Sequence, residues 1–455
     1  MSGESTELKK ALTPLHLWAI GVGLVISGTY FGWNFGLADG GYIGMLIATL
    51  IMGLMYLCMV LSIAELSVMM PHAGGPYAFA RRAFGPLGGY LTGIGVIMEY
   101  FFATPVVAIG VGGYVNFLWP SIDPVISALV IYAFFLALHL WGIKEYAIFE
   151  TVIVFIALGL IVLMYIIGGP AVTKEHLFPF EKLIPAGNFT GIWACLPYAM
   201  WLFLAIEMMP MLAEECRDAK KDMPKGLVSA MITLLLMSTI TLTVATGIGG
   251  ADHISTSANV LPDAVAVSFG ADHWLVRLLA SVGLLGLLAS FSGVILAFSR
   301  EIFSMARAGY FPRFLSNLHP KRRTPHWALI LPSIIGFVLL MIFGADQLIL
   351  IATFGALLSY LLMSLSCIVL RIKEPDAVRE WKVPLYPVTP AIAVILSAIT
   401  LFSSIFADLP FFGVNMGILA LAVIWYFAYS KKHIDPNAPE ERLAMGLEAH
   451  EKGGE

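Results

Sequence analysis

The chain has 455 residues, of which 59% are hydrophobic and only 12% are charged. Its mean hydropathy of +0.86 is more than a soluble core can bury, so the composition excludes a soluble globular protein and predicts an all-α integral membrane protein in a lipid bilayer. The formal net charge is −4, and much of the acid lies in residues 433–455. This charge indicates neither a nucleic-acid partner nor an acidic ligand.

Apolar runs long enough to cross a hydrocarbon core of about 30 Å recur along almost the whole sequence. They leave no room for a soluble domain. They predict about twelve transmembrane helices, which we number as spans one to twelve, near residues 15–38, 42–68, 87–115, 124–142, 146–168, 190–212, 226–248, 274–300, 327–344, 347–371, 389–408 and 411–430.

The basic residues predict the orientation of these spans, because Lys and Arg near a span are retained on the cytoplasmic side. With both termini cytoplasmic, all 26 Lys and Arg residues except Lys174, Lys182 and Arg277 fall on the inner side. The expected location is the bacterial inner membrane, with residues 1–12 and 431–455 as cytoplasmic tails. The first span lacks the features of a cleaved signal peptide, so we expect it to be a permanent helix.

Two spans contain interruptions that are typical of helices lining a cavity. Span one has Ser27, Gly28 and Thr29 at the predicted centre of its break, and span six has a polar and aromatic stretch between Pro197 and Pro210. The breaks are five helices apart, which matches an inverted repeat whose broken helices face each other. We therefore expect repeats at 13–168 and 190–371, an extracellular loop at 169–189 and two further helices at 372–430.

Three cytoplasmic stretches carry a family pattern. Residues 64–86 contain AEL, a proline, GGPY and FG; residues 213–226 contain an acidic pair and a loop proline; residues 299–325 contain SR, MARAGYFP and TP. Together they resemble the amino acid, polyamine and organocation (APC) superfamily of transporters. Residues 27–34 and 203–207 are most similar to its ethanolamine permease branch.

This resemblance implies a LeuT-type fold of five plus five inverted helices, with spans one and six broken, plus two peripheral helices. It implies alternating access without a covalent step, and therefore no enzyme and no cofactor. The expected function is secondary active import of a small organic amine, most like ethanolamine. The alternative is an amino acid symporter or exchanger of the same superfamily.

The resemblance also carries over to residues in the first break. Amino acid carriers of the family have a Gly-Ser-Gly break whose amides hold the substrate carboxylate, and the matching triplet here is Ile26, Ser27 and Gly28. A branched side chain crowds that position. The triplet therefore favours a substrate without a carboxylate.

Two acidic residues lie deep inside spans, Glu99 in span three and Glu207 in span six. A buried charge in a membrane is costly and usually faces a cavity, and a carboxylate with aromatic faces replaces the hydration of an ammonium ion. The predicted substrate-binding residues are Ile26, Ser27, Gly28, Thr29, Tyr30, Glu99, Tyr100, Trp201, Phe203, Ala205 and Glu207.

The sequence does not decide whether the coupling ion is a proton or sodium. Some proton-coupled relatives carry a lysine in span five, where this chain has Ala157. Glu99 or Glu207 remain as proton sites, since burial and a bound ammonium change a carboxyl's proton affinity in opposite directions. Ser290 and Ser292 are the sodium candidates, although hydroxyls of this kind more often serve helix packing. 

The remaining polar groups indicate no other chemistry. Cys58, Cys195, Cys216 and Cys367 lack metal-ligand spacing, so neither a metal site nor a disulfide is expected. We expect His139 to be an ordinary histidine at the membrane interface rather than a proton relay. A channel requires a continuous polar stripe, and a membrane enzyme requires a nucleophile with its base or a metal set; the sequence shows neither pattern, and it leaves the oligomeric state open.

Overall fold

The computed structural model describes residues 12–70, 75–141, 146–178, 190–320, 322 and 324–445. Throughout these residues the chain is helical, apart from loops and one isolated parallel bridge between Leu12 and Cys216. The all-α prediction is therefore confirmed. Residues 1–11, residues 71–74 of the first family motif, residues 179–189 of the predicted extracellular loop and the tail from 446 lie outside the described residues.

The first half of the chain forms eight α-helices. They are α1 (Pro14–Tyr30), α2 (Gly36–Met69), α3 (Gly75–Phe84), α4 (Pro86–Leu118), α5 (Pro124–Trp141), α6 (Tyr146–Gly168), α7 (Lys174–Leu177) and α8 (Thr190–Trp201). Short 3-10 helices cover Trp33–Phe35 and Gly169–Ala171.

The second half adds ten α-helices. They are α9 (Ala219–Gly249), α10 (Ala251–Ser255), α11 (Val260–Phe269), α12 (Trp274–Arg307), α13 (His326–Ile342), α14 (Ala345–Lys373), α15 (Val388–Ala407), α16 (Leu409–Trp425), α17 (Lys431–His433) and α18 (Pro439–Ala444). Further 3-10 helices cover Ile206–Glu215 and Arg313–Ser316, and a π-helical turn covers Tyr426–Ser430.

Each predicted span coincides with helix in the described part of the chain. Ten helical segments there are long and apolar enough to cross a membrane, and the shorter apolar helices Pro14–Tyr30 and His326–Ile342 fall on predicted spans one and nine. A third short apolar helix, Val260–Phe269, was not predicted. It lies between spans seven and eight and is too short to cross a bilayer.

Span one is broken, but one turn later than predicted. Ser27, Gly28 and Thr29 lie within α1, which ends at Tyr30. Its last helical hydrogen bond runs from Phe31 N–H to Ser27 O at 3.2 Å. Phe31 is extended, and Gly32 has φ +103°, a conformation that glycine adopts without steric cost. The span resumes at Trp33–Phe35, and a kink at Gly41 (φ +58°) separates it from span two.

Span six is broken where the sequence predicted. The helix α8 ends at Trp201, and the chain resumes as the 3-10 helix Ile206–Glu215. Residues 202–205 form a turn in which Ala205 has φ +87°. Since a non-glycine residue rarely adopts this conformation, surrounding contacts must hold it there.

The most extensive helix contacts join α4 to α14 and α12, and α2 to α8 and α9. These helices form the interior of the bundle, and both breaks lie among them. The helices α15 and α16 lie at its margin, where Phe402 and Leu421 are exposed, as expected for side chains that face lipid.

Candidate functional site

The two breaks meet in the interior of the bundle. Trp201 Nε1, at the end of α8, donates to Phe31 O at 2.9 Å. The backbones also approach closely, because a Cβ atom added at Gly28 would lie 2.4 Å from Trp201 O. Gly28 is therefore required here for helix contact, while the break itself lies at Gly32.

Side chains satisfy the carbonyl groups left free where α1 ends. Thr29 O accepts from Trp33 Nε1 at 3.0 Å, and Tyr30 O accepts from Tyr114 OH at 3.0 Å. Phe31 O, the next carbonyl along the chain, accepts from Trp201 Nε1. A helix that ends inside a membrane needs such partners, because no bulk water reaches it.

A narrow, mostly apolar cavity lies at this junction. The residues that line it come from α1, α4, the break in span six and α12, and they are Leu24, Val25, Ser27, Gly28, Tyr100, Ala103, Val107, Trp201, Leu204, Ala205, Ser290 and Val294. Its polar groups are the hydroxyls of Ser27, Tyr100 and Ser290 and the indole of Trp201. None of the described residues that line it is basic.

The structure brings only part of the predicted binding set to the cavity. Ser27, Gly28, Tyr100, Trp201 and Ala205 line it, together with the coupling candidate Ser290. The predicted residues outside the lining are Ile26, Thr29, Tyr30, Glu99, Phe203, Glu207 and Ser292. A substrate contact by any of these residues stays a prediction.

Ile26 lies outside the cavity because α1 is still helical at this point. At about 100° per residue, Leu24, Val25, Ser27 and Gly28 share the side of α1 that lines the cavity, and Ile26 lies on the opposite side, where it is buried. The cavity therefore offers no support for the prediction that Ile26 crowds the substrate.

Of the aromatic residues in the predicted binding set, Tyr100 and Trp201 line the cavity, whereas Tyr30 and Phe203 pack elsewhere. Tyr30 packs against Tyr114 with ring centroids 6.4 Å apart, and its hydroxyl donates to Ala157 O at 3.4 Å. Phe203 packs against Tyr56 with centroids 5.3 Å apart. Neither ring lines the cavity: Tyr30 lies on the same side of α1 as Ile26, and Phe203 lies in the turn of residues 202–205.

The two predicted acids lie together behind the cavity wall. Glu99 of α4 and Glu207 of the 3-10 helix are both fully buried. The hydroxyl of Tyr360 lies 2.7 Å from Glu207 Oε2 and 3.0 Å from Glu99 Oε1. Tyr100 OH donates to the other oxygen of Glu207, while Glu99 Oε2 has no hydrogen-bond partner among the described residues.

This acid pair has no basic partner in the described part of the chain, where every ion pair involves other acids. The single proton of Tyr360 serves one carboxylate at a time. Two adjacent ionised carboxylates without a countercharge are unfavourable inside a membrane. The arrangement is therefore suited to holding a proton or a cation.

The two coupling candidates in α12 have different surroundings. Ser290 Oγ lies 2.7 Å from Ser27 Oγ and donates to Leu24 O at 3.4 Å. Ser292 Oγ lies 3.0 Å from His139 Nε2, away from the cavity. The described residues contain no group of three or more His, Cys, Asp and Glu side chains arranged to hold a metal.

Several site residues were missed from the sequence. Ala103 and Val107 follow Tyr100 by three and seven positions, so the helical period from Tyr100 would have found them. Tyr56 and Tyr360 carry no comparable signal. Tyr56 OH donates to Tyr360 OH at 3.3 Å, and only the packing of distant spans brings these hydroxyls to the acids.

A membrane bundle with two facing breaks, a central cavity and a buried acid pair is the architecture of a secondary transporter. The family described as amino acid permease matches residues 12–428. The chain therefore belongs to the amino acid permease family, within the APC superfamily, and it is a multi-pass membrane transporter of small molecules rather than an enzyme.

Several curated relatives match nearly full length. The chain is 31% identical to an uncharacterized transporter of Rhizobium meliloti over 412 residues, which cover 87% of each chain. It is 26% identical over 459 residues to the branched-chain amino acid permease BcaP of Bacillus subtilis, with 95% of each chain covered. It is 25% identical over 457 residues to the methylthioribose transporter of Bacillus subtilis, with 94% of this chain and 95% of the relative covered.

Proposed function

We propose that this transporter imports a small organic amine, ethanolamine or a close analogue, by alternating access. The observation that carries the proposal is the fully buried pair of Glu99 and Glu207, which has no basic partner among the described residues and touches the cavity through Tyr100. The resemblance of residues 27–34 and 203–207 to the ethanolamine permease branch points to the same substrate.

The ammonium group of such a solute has a suitable place against Tyr100 and Trp201. Both rings line the cavity, and aromatic faces attract a desolvated cation. Because Tyr100 OH donates to Glu207, its oxygen is more negative and accepts more strongly from an ammonium group. The acid pair thus acts on the cavity through Tyr100.

The lining also disfavours a carboxylate. Among the described residues no Lys or Arg side chain lines the cavity, and a buried anion without a countercharge or several donors is costly. The acid pair behind Tyr100 adds repulsion. A small amine without a carboxylate is therefore better matched to this lining.

A branched-chain amino acid is the second candidate. The apolar part of the lining, which includes Leu24, Val107 and Val294, suits a branched aliphatic side chain. The relatives named branched-chain amino acid permeases support the same alternative. In that case the carboxylate must find donors that appear in another conformation.

We propose the proton as the coupling ion, held by the Glu99 and Glu207 pair. Sodium is the alternative. It is less well supported because the Ser27 and Ser290 hydroxyls already bond to each other, while Glu99 Oε2 has no partner among the described residues.

We also propose the topology that the sequence predicts. Residues 13–168 and 190–371 form the two inverted repeats, 372–430 form the peripheral helices, and both tails face the cytoplasm. The breaks in spans one and six support the repeats. Ion pairs Arg81–Glu441, Arg82–Glu374 and Arg371–Glu65, all at helix ends that the charge pattern assigns to the inside, support the orientation.

The test is uptake by the purified protein in liposomes. The panel is ethanolamine, choline, leucine, arginine and putrescine, each with an imposed proton or sodium gradient. We expect saturable ethanolamine uptake that an inward proton gradient accelerates. Uptake of leucine without ethanolamine would replace the first candidate with the second, and sodium dependence would overturn the proton assignment.

A further inference from the structure

Asn34 lies directly after the break in span one. It lies in the 3-10 helix Trp33–Phe35 and is fully buried. Its Oδ1 accepts the backbone N–H of Gly32 at 3.1 Å. The side chain therefore fixes the residue that has φ +103° and interrupts span one.

The other end of the same carboxamide binds a different part of the chain. Asn34 Nδ2 lies 2.8 Å from Ile254 O, 3.0 Å from Ser257 O and 3.2 Å from Ser255 O. These carbonyls belong to the end of α10 and the turn after it. The last carbonyls of a helix have no partner within the helix, and Asn34 supplies a donor to Ser255 O and Ser257 O, whereas Ile254 O also accepts from Ser257 N–H at 3.1 Å.

We use the name outer lid for α10, α11 and the turn between them, residues 251–269. The lid belongs to the loop between spans seven and eight, which the charge pattern assigns to the outside. It packs against the end of α4, because a Cβ atom added at Gly113 would lie 2.7 Å from the Cβ of Ala258. It also packs against the end of α9, since a Cβ at Gly249 would lie 2.8 Å from the Cα of Ala264.

We infer that Asn34 is a positioning residue that latches the outer half of span one to the outer lid, so that the two move as one body during transport. A single amide serves the break and the lid together. Separation of the lid from span one would leave buried N–H and C=O groups without partners, which is costly. Opening and closing of the lid is thereby transmitted to Gly32, beside the cavity.

The chain contains a native reporter for this movement. Cys195 of α8 is fully buried, and its Sγ donates to Gly36 O at 3.0 Å. A Cβ at Gly40 would lie 2.5 Å from the same sulfur. The outer half of span one therefore covers Cys195, and displacement of that half exposes the thiol.

The experiment measures maleimide labelling of Cys195 in the full chain in nanodiscs, followed by peptide mass spectrometry. The variants are Asn34→Ala and the isosteric Asn34→Asp, which keeps an oxygen for Gly32 but has no N–H donors for the lid when ionised. We expect labelling to be at least about tenfold faster in both, from the loss of two or more buried hydrogen bonds. The same variants should lower the maximal rate of uptake.

Asn415→Ala is the matched control, because Asn415 is also a fully buried amide and, within the described part of the chain, donates a single hydrogen bond, to Leu350 O at 3.3 Å. We expect it to label like the wild type. Wild-type labelling in a monodisperse Asn34 variant, or an equal acceleration in Asn415→Ala, would overturn the latch. If Asn34→Ala does not fold, Asn34→Asp decides. The inference rests on transport by this fold and not on ethanolamine, so a failed uptake assay leaves the labelling result intact.

Discussion

Tyr100 and Glu207 join the cavity to the buried acids: the tyrosine ring lines the cavity, and its hydroxyl donates to the carboxylate behind it. The contact crosses from span three to the second half of span six. Under the proposed function, a solute bound in the cavity would act on the acid pair through this hydrogen bond.

Removal of the Tyr100 hydroxyl should separate the cavity from the acids. In Tyr100→Phe we expect the KM for ethanolamine to rise about tenfold, because a hydrogen bond to a charged group contributes about 1.5 to 3 kcal/mol, and uptake kinetics in liposomes measure this. Tyr90→Phe is the control on the same helix, since Tyr90 OH donates to Ala422 O at 2.9 Å, away from the cavity. An equal change in both variants would show that the effect is not specific to the acid pair.

Neutralisation of either acid should abolish transport. In Glu99→Gln and Glu207→Gln we expect loss of ethanolamine uptake with normal folding, because the amide keeps the shape but carries neither the charge nor a titratable proton. Glu301→Gln is the matched control, since Glu301 is a buried acid of α12 outside the hydrogen bonds that link Glu99 and Glu207 to Tyr100 and Tyr360. Wild-type affinity in both acid variants would refute this cation site.

Gly28 should not tolerate a side chain. In Gly28→Ala we expect a loss of about 1 to 3 kcal/mol of stability from overpacking against Trp201 O, with reduced uptake, and thermal unfolding in detergent measures the first effect. Gly159→Ala is the control, because no atom lies within 4 Å of a Cβ at Gly159 in α6. A Gly28→Ala protein as stable as Gly159→Ala would contradict the close contact of spans one and six.

Ile26→Gly tests whether this residue excludes a carboxylate. Because Ile26 lies outside the cavity lining, we expect no gain in leucine or alanine affinity. We expect a loss of stability of roughly 2 to 5 kcal/mol from the space left by this buried side chain, in addition to the cost of about 1 kcal/mol for glycine in a helix. Competition by the amino acids against ethanolamine uptake measures the affinity. A clear gain for a zwitterion would restore the crowding argument.

The helix α18 should stabilise the bundle through Glu441. This fully buried carboxylate is paired with Arg81 at 2.6 Å and accepts from Tyr310 OH at 2.9 Å. In Glu441→Gln we expect a loss of about 3 to 5 kcal/mol, because Arg81 is left without its partner. Glu380→Gln, which breaks the exposed pair with Lys220, should cost less than about 1 kcal/mol; equal shifts in melting temperature would contradict the difference.

The sequence predicted the site only in part. Site residues that share one helical face could be predicted, whereas those brought together by contacts between distant parts of the chain could not. The residues of α4 that line the cavity share one helical face, so they were within reach of the sequence. The contact of Tyr360 with Glu99 joins residues 261 positions apart, and the bonds of Asn34 to the lid join residues more than 200 positions apart. No local pattern encodes such distances.

The sequence by itself determined the properties that depend on local chemistry: the membrane class, the number and limits of the spans, the presence of breaks in spans one and six, and the family motifs. Hydrophobic length and the conformational freedom of Gly and Pro act within a single segment, so a single segment reveals them. Tertiary structure alone decided that the break lies at Gly32 rather than at Ser27, that Ile26 and Phe203 do not line the cavity, and that two acids share one tyrosine hydroxyl. These outcomes depend on how each helix is rotated against its neighbours, which only the packing of the whole bundle fixes.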